Sequence, residues 1–314
     1  MSGPAHFSYD HEETHSQRVE RVATAKARFD AIRVDYTPQT TAVATLDEVR
    51  IAAIGRPPGA PCGGAMMVAP HGCGKTQAVE ALRSRLEACA AQGDLPLLHV
   101  EIDHAGTTDS VPTSILRALG AARPEAGSEK VRWSRAIAEA ERCDVQLFVF
   151  DEFNRANRRP TMSRAIATAI RQRIMDAGIA PVAFVGSEDA GDVLGSAPEL
   201  MERLDDEIDL LPMRWKMKSE RALFIDFVSE LDTAMVKEGL TARLSGLASE
   251  HVAEPLWKAS EGRLRRIAKI VRHAMGAALH DGRESIHVDD LAEAVDAYCI
   301  RRQFCTYNPF KEAR

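Results

Sequence analysis

The chain lacks any apolar run approaching the roughly 18 residues needed to cross a bilayer. Its first fifteen residues, MSGPAHFSYDHEETH, lack the basic-then-apolar layout of a secretory leader. A cytoplasmic protein without a membrane partner is therefore expected. Six cysteines (Cys62, Cys73, Cys89, Cys143, Cys299 and Cys305) form no CxxC pair and no zinc-ligand spacing, which leaves reduced, mostly buried thiols. No internal repeat or low-complexity tract is visible. Net charge is −6, which argues against a protein devoted to nucleic acid, but the charge is uneven. Residues 155–173, RANRRPTMSRAIATAIRQR, carry six arginines and no acid, and GRLRRIAKIVRH at 262–273 is similarly basic.

What is present is globular composition, 45% apolar and 27% charged over 314 residues, enough for one large domain or two ordinary ones. Short apolar runs at 65–70, 96–102, 145–153, 181–187 and 207–212 predict strands, and helical periodicity fills most of the intervals between them. From about 216 onward every periodic stretch is helical. Alternating strands and helices imply a parallel sheet covered on both faces. The expected division is an N-terminal helical extension at 1–35, an α/β nucleotide-binding domain at 36–215, a helical lid at 216–300 and a tail at 301–314, RRQFCTYNPFKEAR, outside any periodic helix.

Ala69-Pro70-His71-Gly72-Cys73-Gly74-Lys75-Thr76 follows the first strand and opens a helix. That is the context a phosphate-binding loop requires, because backbone N–H groups then converge where the helix dipole favours anions. Gly72 and Gly74 supply the backbone freedom, Lys75 would reach the β- and γ-phosphates of ATP, and the Thr76 hydroxyl would hold Mg2+. Ala69 replaces the usual first glycine, at a position where the chain only has to leave the strand. About 75 residues on, LFVFDE places Asp151 and Glu152 at the carboxyl end of a buried strand, where open α/β sheets bind ligands. Asp151 suits a water-mediated Mg2+ contact, and Glu152 suits a general base toward an attacking water.

Ser187, ending PVAFVGS, would put a polar group near the γ-phosphate. Arg203, just before the last strand, could reach a neighbouring subunit's nucleotide as a finger. Arg265, in SEGRLRRIAKI, could return to the nucleotide from the lid, with Arg263 and Arg266 competing for that role.

This ordered set resembles the AAA+ ATPases. More narrowly, YTPQTTAVATLDEVRIAAIGRPPGA, APVAFVGSEDA, LMERLDDEIDLLPMRW and the lid entry SEG resemble the transposition regulators of the TniB/TnsC group, relatives of the Mu target-selection ATPase. The resemblance implies an ATP-dependent factor that oligomerises on double-stranded target DNA as a ring or filament. It also implies recruitment of transposase, with a target-selection adaptor as a further partner, and resetting by slow hydrolysis. Protein-threading AAA+ machines need an aromatic pore loop after the second strand. Here that segment, DHAGTTDSVPTS at 103–114, contains no aromatic and suits phosphate contacts better. Arg117, Arg123, Lys130, Arg155, Arg158 and Arg159 are then candidate DNA-facing groups. A helicase loader or replication initiator, and a signalling NTPase switch that assembles without DNA, remain alternatives.

Overall fold

The computed structural model describes residues 14–103, 106–158 and 160–311. It divides into two compact units: one is Pro38–Leu211, and the other joins residues up to Thr37 with those from Pro212 onward.

The first unit opens with α2 (Thr37–Ile54), preceded in the chain by α1 (His15–Ala31) of the other unit. It continues through β1 (Gly64–Val68), α3 (Lys75–Glu87), β2 (Leu97–Glu101), α4 (Ser110–Ala118), α5 (Glu129–Arg142) and β3 (Leu147–Asp151). A 3-10 turn at Phe153–Arg158 leads into α6 (Pro160–Ile170), which ends in a π turn at Arg171–Met175. Then come β4 (Val182–Gly186), α7 (Glu188–Gly195), α8 (Pro198–Met201) and β5 (Leu204–Glu207). The strands form one parallel sheet of order β2-β3-β4-β1-β5.

The central strands read as unbroken apolar runs because both their faces are covered: every residue of β3 and β4 is buried. One face carries Phe148, Phe150 and Phe184 against Phe153, with Phe153 and Phe184 ring centroids 4.7 Å apart. Alternate residues point the other way, so His99, Val149 and Asp151 share the opposite face. All five expected strands exist, but the last is displaced. It is Leu204–Glu207, not 207–212, and beyond it Ile208 still donates its N–H to the Met66 carbonyl at 2.8 Å. The apolar EIDLLP outshines the acidic LDDE in hydropathy, whereas an edge strand is half exposed and needs little apolar character.

The second unit packs α1 with α9 (Lys218–Lys237), α10 (Glu250–Ser260), α11 (Leu264–His280) and α12 (Val288–Val295), followed by a π turn at Asp296–Ile300. Helix α1 therefore belongs with the C-terminal helices, packed on α11. The segment after the π turn also folds back. Asn308 is buried, donating to the Ala292 carbonyl at 2.8 Å and to Asp296 at 2.7 Å, and Phe310 is buried two residues on. The expected separate tail is in this respect part of the helical core, because one amide side chain satisfies two acceptors there. No helix among the described residues is long and apolar enough to cross a membrane.

Candidate nucleotide site

The loop leaving β1 reaches α3 through two left-handed residues, Gly72 at φ 88° and Gly74 at φ 97°. Residues with a Cβ resist that conformation, and alternating hands turn successive N–H groups inward. Ala69 has no such requirement: its φ is not positive, it is buried, and its N–H donates to the Gly186 carbonyl at 3.2 Å. This accounts for alanine at the first position. Cys73 is buried and fills the loop's interior, while His71 is exposed. Lys75 is buried, its ammonium donating to the carbonyls of Ala69 and, at 3.0 Å, Pro70. From α2, Gln39 Nε2 donates to the Gly74 carbonyl at 2.9 Å, an oxygen that also accepts the Ala78 N–H at 3.0 Å.

Asp151 ends β3 with its carboxylate buried and held on both oxygens. Oδ1 accepts the Glu152 N–H at 2.7 Å, and Oδ2 accepts the Thr76 hydroxyl at 3.3 Å. Oδ2 also lies 3.2 Å from His99 Nε2, and His99 Nδ1 lies 3.2 Å from Glu80 Oε1 on α3. Burial pushes the Asp151 carboxyl up, but the bonds from His99, the Glu152 amide and Thr76 outweigh it and hold the group below its ordinary range. The bond to Asp151 raises His99 against the opposing effect of burial.

Glu152, the first residue beyond β3, adopts φ 53°, a left-handed conformation costing a non-glycine residue roughly 1–3 kcal/mol. Its side chain is partly exposed, and Oε2 lies 3.5 Å from Asn154 Nδ2 and 3.9 Å from Arg155 Nε. Asn154 Oδ1 accepts the Ser187 N–H at 3.2 Å, tying the ends of β3 and β4 together. Ser187 follows β4, the strand between β1 and β3, and starts α7 without its hydroxyl making a capping bond. Lys75 and Thr76, the first residues of α3, thus stand with Asp151, Glu152 and Ser187 at the carboxyl ends of three adjacent strands. The residues fit a magnesium nucleotide: an inward-turned loop and a cation for phosphate, and a hydroxyl and an ionised carboxylate for the metal.

Arg203 directly precedes β5, with its side chain 41% exposed and Nη2 lying 3.1 Å from Asp176 Oδ1. In the other unit Arg265 is exposed on the first turn of α11, whereas Arg263 and Arg266 lie 3.6 and 2.7 Å from Glu261.

The candidate DNA-facing residues fare unequally. Arg155 is turned inward, its guanidinium 2.7 Å from Glu101 and donating to the Ile102 carbonyl at 3.0 Å. Two carboxylates and a carbonyl at the ends of β2 and β3 hold this candidate DNA-facing side chain. Arg117 is exposed but paired with Asp103 and Glu125, and Arg123 and Lys130 are exposed. Arg159 and the side chain of Arg158 lie outside the described residues.

Sequence reasoning missed three residues. His99 carried a signal, a polar residue at an alternating position in LLHVE. Asn154 stands two residues after the acid pair. Gln39 carried none, since only the folded chain brings it to Gly74.

A five-stranded parallel sheet of this order, with the phosphate loop after β1, the acid pair after β3 and helices following, defines an AAA+ ATPase fold. The family model described as bacterial TniB protein matches residues 28–216, more than half of the sequence, and the chain belongs to that family. No curated protein matches the sequence. Among solved structures it is similar to the Aeropyrum pernix ORC1 protein in complex with DNA, at 17% identity, TM-score 0.59, covering 85% of this chain and 66% of that one. It is also similar to the Aeropyrum pernix ORC2 protein in ADPNP–ADP complexes, at 14% identity and TM-score 0.58, covering 81% and 67%. For Cdc6p from Pyrobaculum aerophilum the values are 16%, 0.57, and 82% and 66%. The chain thus spans about two thirds of each of these proteins, and at such identities the likeness is one of fold.

Proposed function

We propose that this TniB-family AAA+ protein binds ATP with Mg2+, oligomerises on double-stranded DNA, recruits transposase and resets by slow hydrolysis. The observation that carries the reading is the convergence of Lys75, Thr76, Asp151 and Glu152 at one sheet end in a chain of this family. In this reading the Gly72–Gly74 backbone and Lys75 would hold the phosphates, and Thr76 and Asp151 would hold the metal. Mg2+, when bound, supplies charge neutralisation between phosphate oxygens. Glu152 takes a proton from the attacking water, with its backbone held in place by the bond of its N–H to Asp151. Ser187 offers a polar contact near the γ-phosphate. Arg203 stands beside the sheet's edge strand, where a neighbouring subunit's phosphate could meet it, and Arg265 senses nucleotide from the lid.

Negative-stain imaging tests this. With ATP and duplex DNA, rings or filaments are expected; no assembly under any nucleotide state would sink the reading. Co-precipitation with a helicase rather than a transposase would turn it into that of a loader. Assembly indifferent to DNA and salt would make it a signalling switch.

A further inference from the structure

The basic stretch 262–273 lies on α11, and folding adds cations to it from two other elements. At Gly276 a Cβ would fall 2.8 Å from Lys26 Nζ, so the missing side chain lets α1 lay Lys26 across α11. One turn earlier on α11, His273 stacks on Tyr298 of the π turn, with ring centroids 5.8 Å apart and planes 27° apart. The Arg302 guanidinium lies 4.8 Å from the Tyr298 centroid. Lys269 stands a further turn back and Arg272 beside it. Burial first, then the charges of Lys26, Arg272, Lys269 and Arg302, hold the His273 imidazole below its ordinary value. Four cations therefore share one neighbourhood in a chain whose net charge is −6.

Little inside the protein neutralises them. Arg272 is paired with Asp30 at 2.8 Å. Lys26, Lys269 and Arg302 pair with no carboxylate among the described residues. The large exposed apolar side chains, such as Ile51, Ile54 and Leu244, include none of this cluster. A docked protein would be expected to find an apolar centre ringed by polar groups. A phosphate backbone asks only for positive charge and donors.

We propose that the face formed by Lys26, Lys269, Arg272, His273, Tyr298 and Arg302 binds the phosphate backbone of duplex DNA, in place of the inward-turned Arg155. This rests on the reading above that the chain binds duplex DNA, and locates the DNA-binding face in the helical unit.

The test is anisotropy titration of a labelled duplex of arbitrary sequence with the full chain, across a salt series and with ATP. In the double variant Lys269→Glu/Arg302→Glu, affinity should fall at least about tenfold at physiological salt. The slope of log affinity on log salt should shrink by roughly 0.9 for each phosphate that the variant no longer neutralises. Binding of a fluorescent ATP analogue and the unfolding temperature should not change. The milder Lys269→Gln/Arg302→Gln should show the same reduction in slope, which guards against a folding defect. Wild-type affinity and slope in both variants would overturn the inference and leave DNA binding itself standing. Tighter wild-type binding to polyglutamate than to duplex would overturn it in favour of an acidic protein partner. No duplex binding by the wild type in any nucleotide state would instead remove the underlying reading.

Discussion

His99 Nε2 lies 3.2 Å from Asp151 Oδ2, and the other nitrogen of the same ring lies 3.2 Å from Glu80 Oε1. One imidazole therefore bridges the acid strand and the helix that follows the phosphate loop. His99 is raised chiefly by its bond to Asp151, and Asp151 is held low despite its burial. The folded state thus binds the histidine proton more tightly than the unfolded chain does. The resulting stabilisation is full below the unfolded histidine value and is lost as pH rises through the raised one. It also fades in acid, as pH falls through the depressed Asp151 value and that carboxylate protonates. His99→Ala should cost on the order of 1–2 kcal/mol near pH 5.5 and much less near pH 8.5, read by chemical denaturation of nucleotide-free protein.

Glu152→Gln keeps the side chain's size and removes its basicity. Affinity for ATP should stay within about twofold while turnover falls by roughly 100-fold or more, as expected on losing a general base. Retained turnover would mean that another group handles the proton.

Arg203 stands next to the edge strand with a half-exposed side chain whose nearest acid is Asp176. If it acts on a neighbour's nucleotide, Arg203→Ala and Lys75→Ala should each be inactive alone. Mixed, they should recover part of the wild-type rate, since a subunit with an intact loop would then meet a subunit with an intact arginine. Failure of every mixing ratio would rule out action in trans.

Arg155 is committed to Glu101, the Ile102 carbonyl and the neighbourhood of Glu152. Arg155→Ala should therefore change ATP turnover and leave the salt slope of duplex binding unaltered. Opposite results in a paired ATPase and anisotropy measurement would place it in the DNA-facing set.

Asn308→Ala removes the donor that serves the Ala292 carbonyl and Asp296. A loss of about 1–3 kcal/mol is expected in urea unfolding, with little change in nucleotide affinity. A stability equal to wild type would show that water replaces the amide.

Much of this architecture was legible because buried parallel strands are continuous apolar words and the phosphate loop is a local pattern. AMMV, LFVFD and VAFVG announce themselves without help from distant residues. What stayed hidden was set by pairings that sequence spacing does not encode. Gln39 reaches Gly74 across 35 positions, and the inward turn of Arg155 depends on Glu101 in the adjacent strand. The last strand was misplaced because hydropathy rewards EIDLLP, while pairing with β1 selects the acidic residues just before it. Asn308 shows the same limit at the other end of the chain, where polar composition concealed a buried amide.

That acidic edge has a consequence for how copies of the chain can meet. β5 places Asp205, Asp206 and Glu207 in succession on the outer strand of the sheet. Two such edges brought together would set like charges opposite each other, so one sheet cannot readily extend into the next. A contact between copies across this edge would then run through side chains, with no continuous backbone ladder to lock it. A contact built that way could come apart without unzipping a strand.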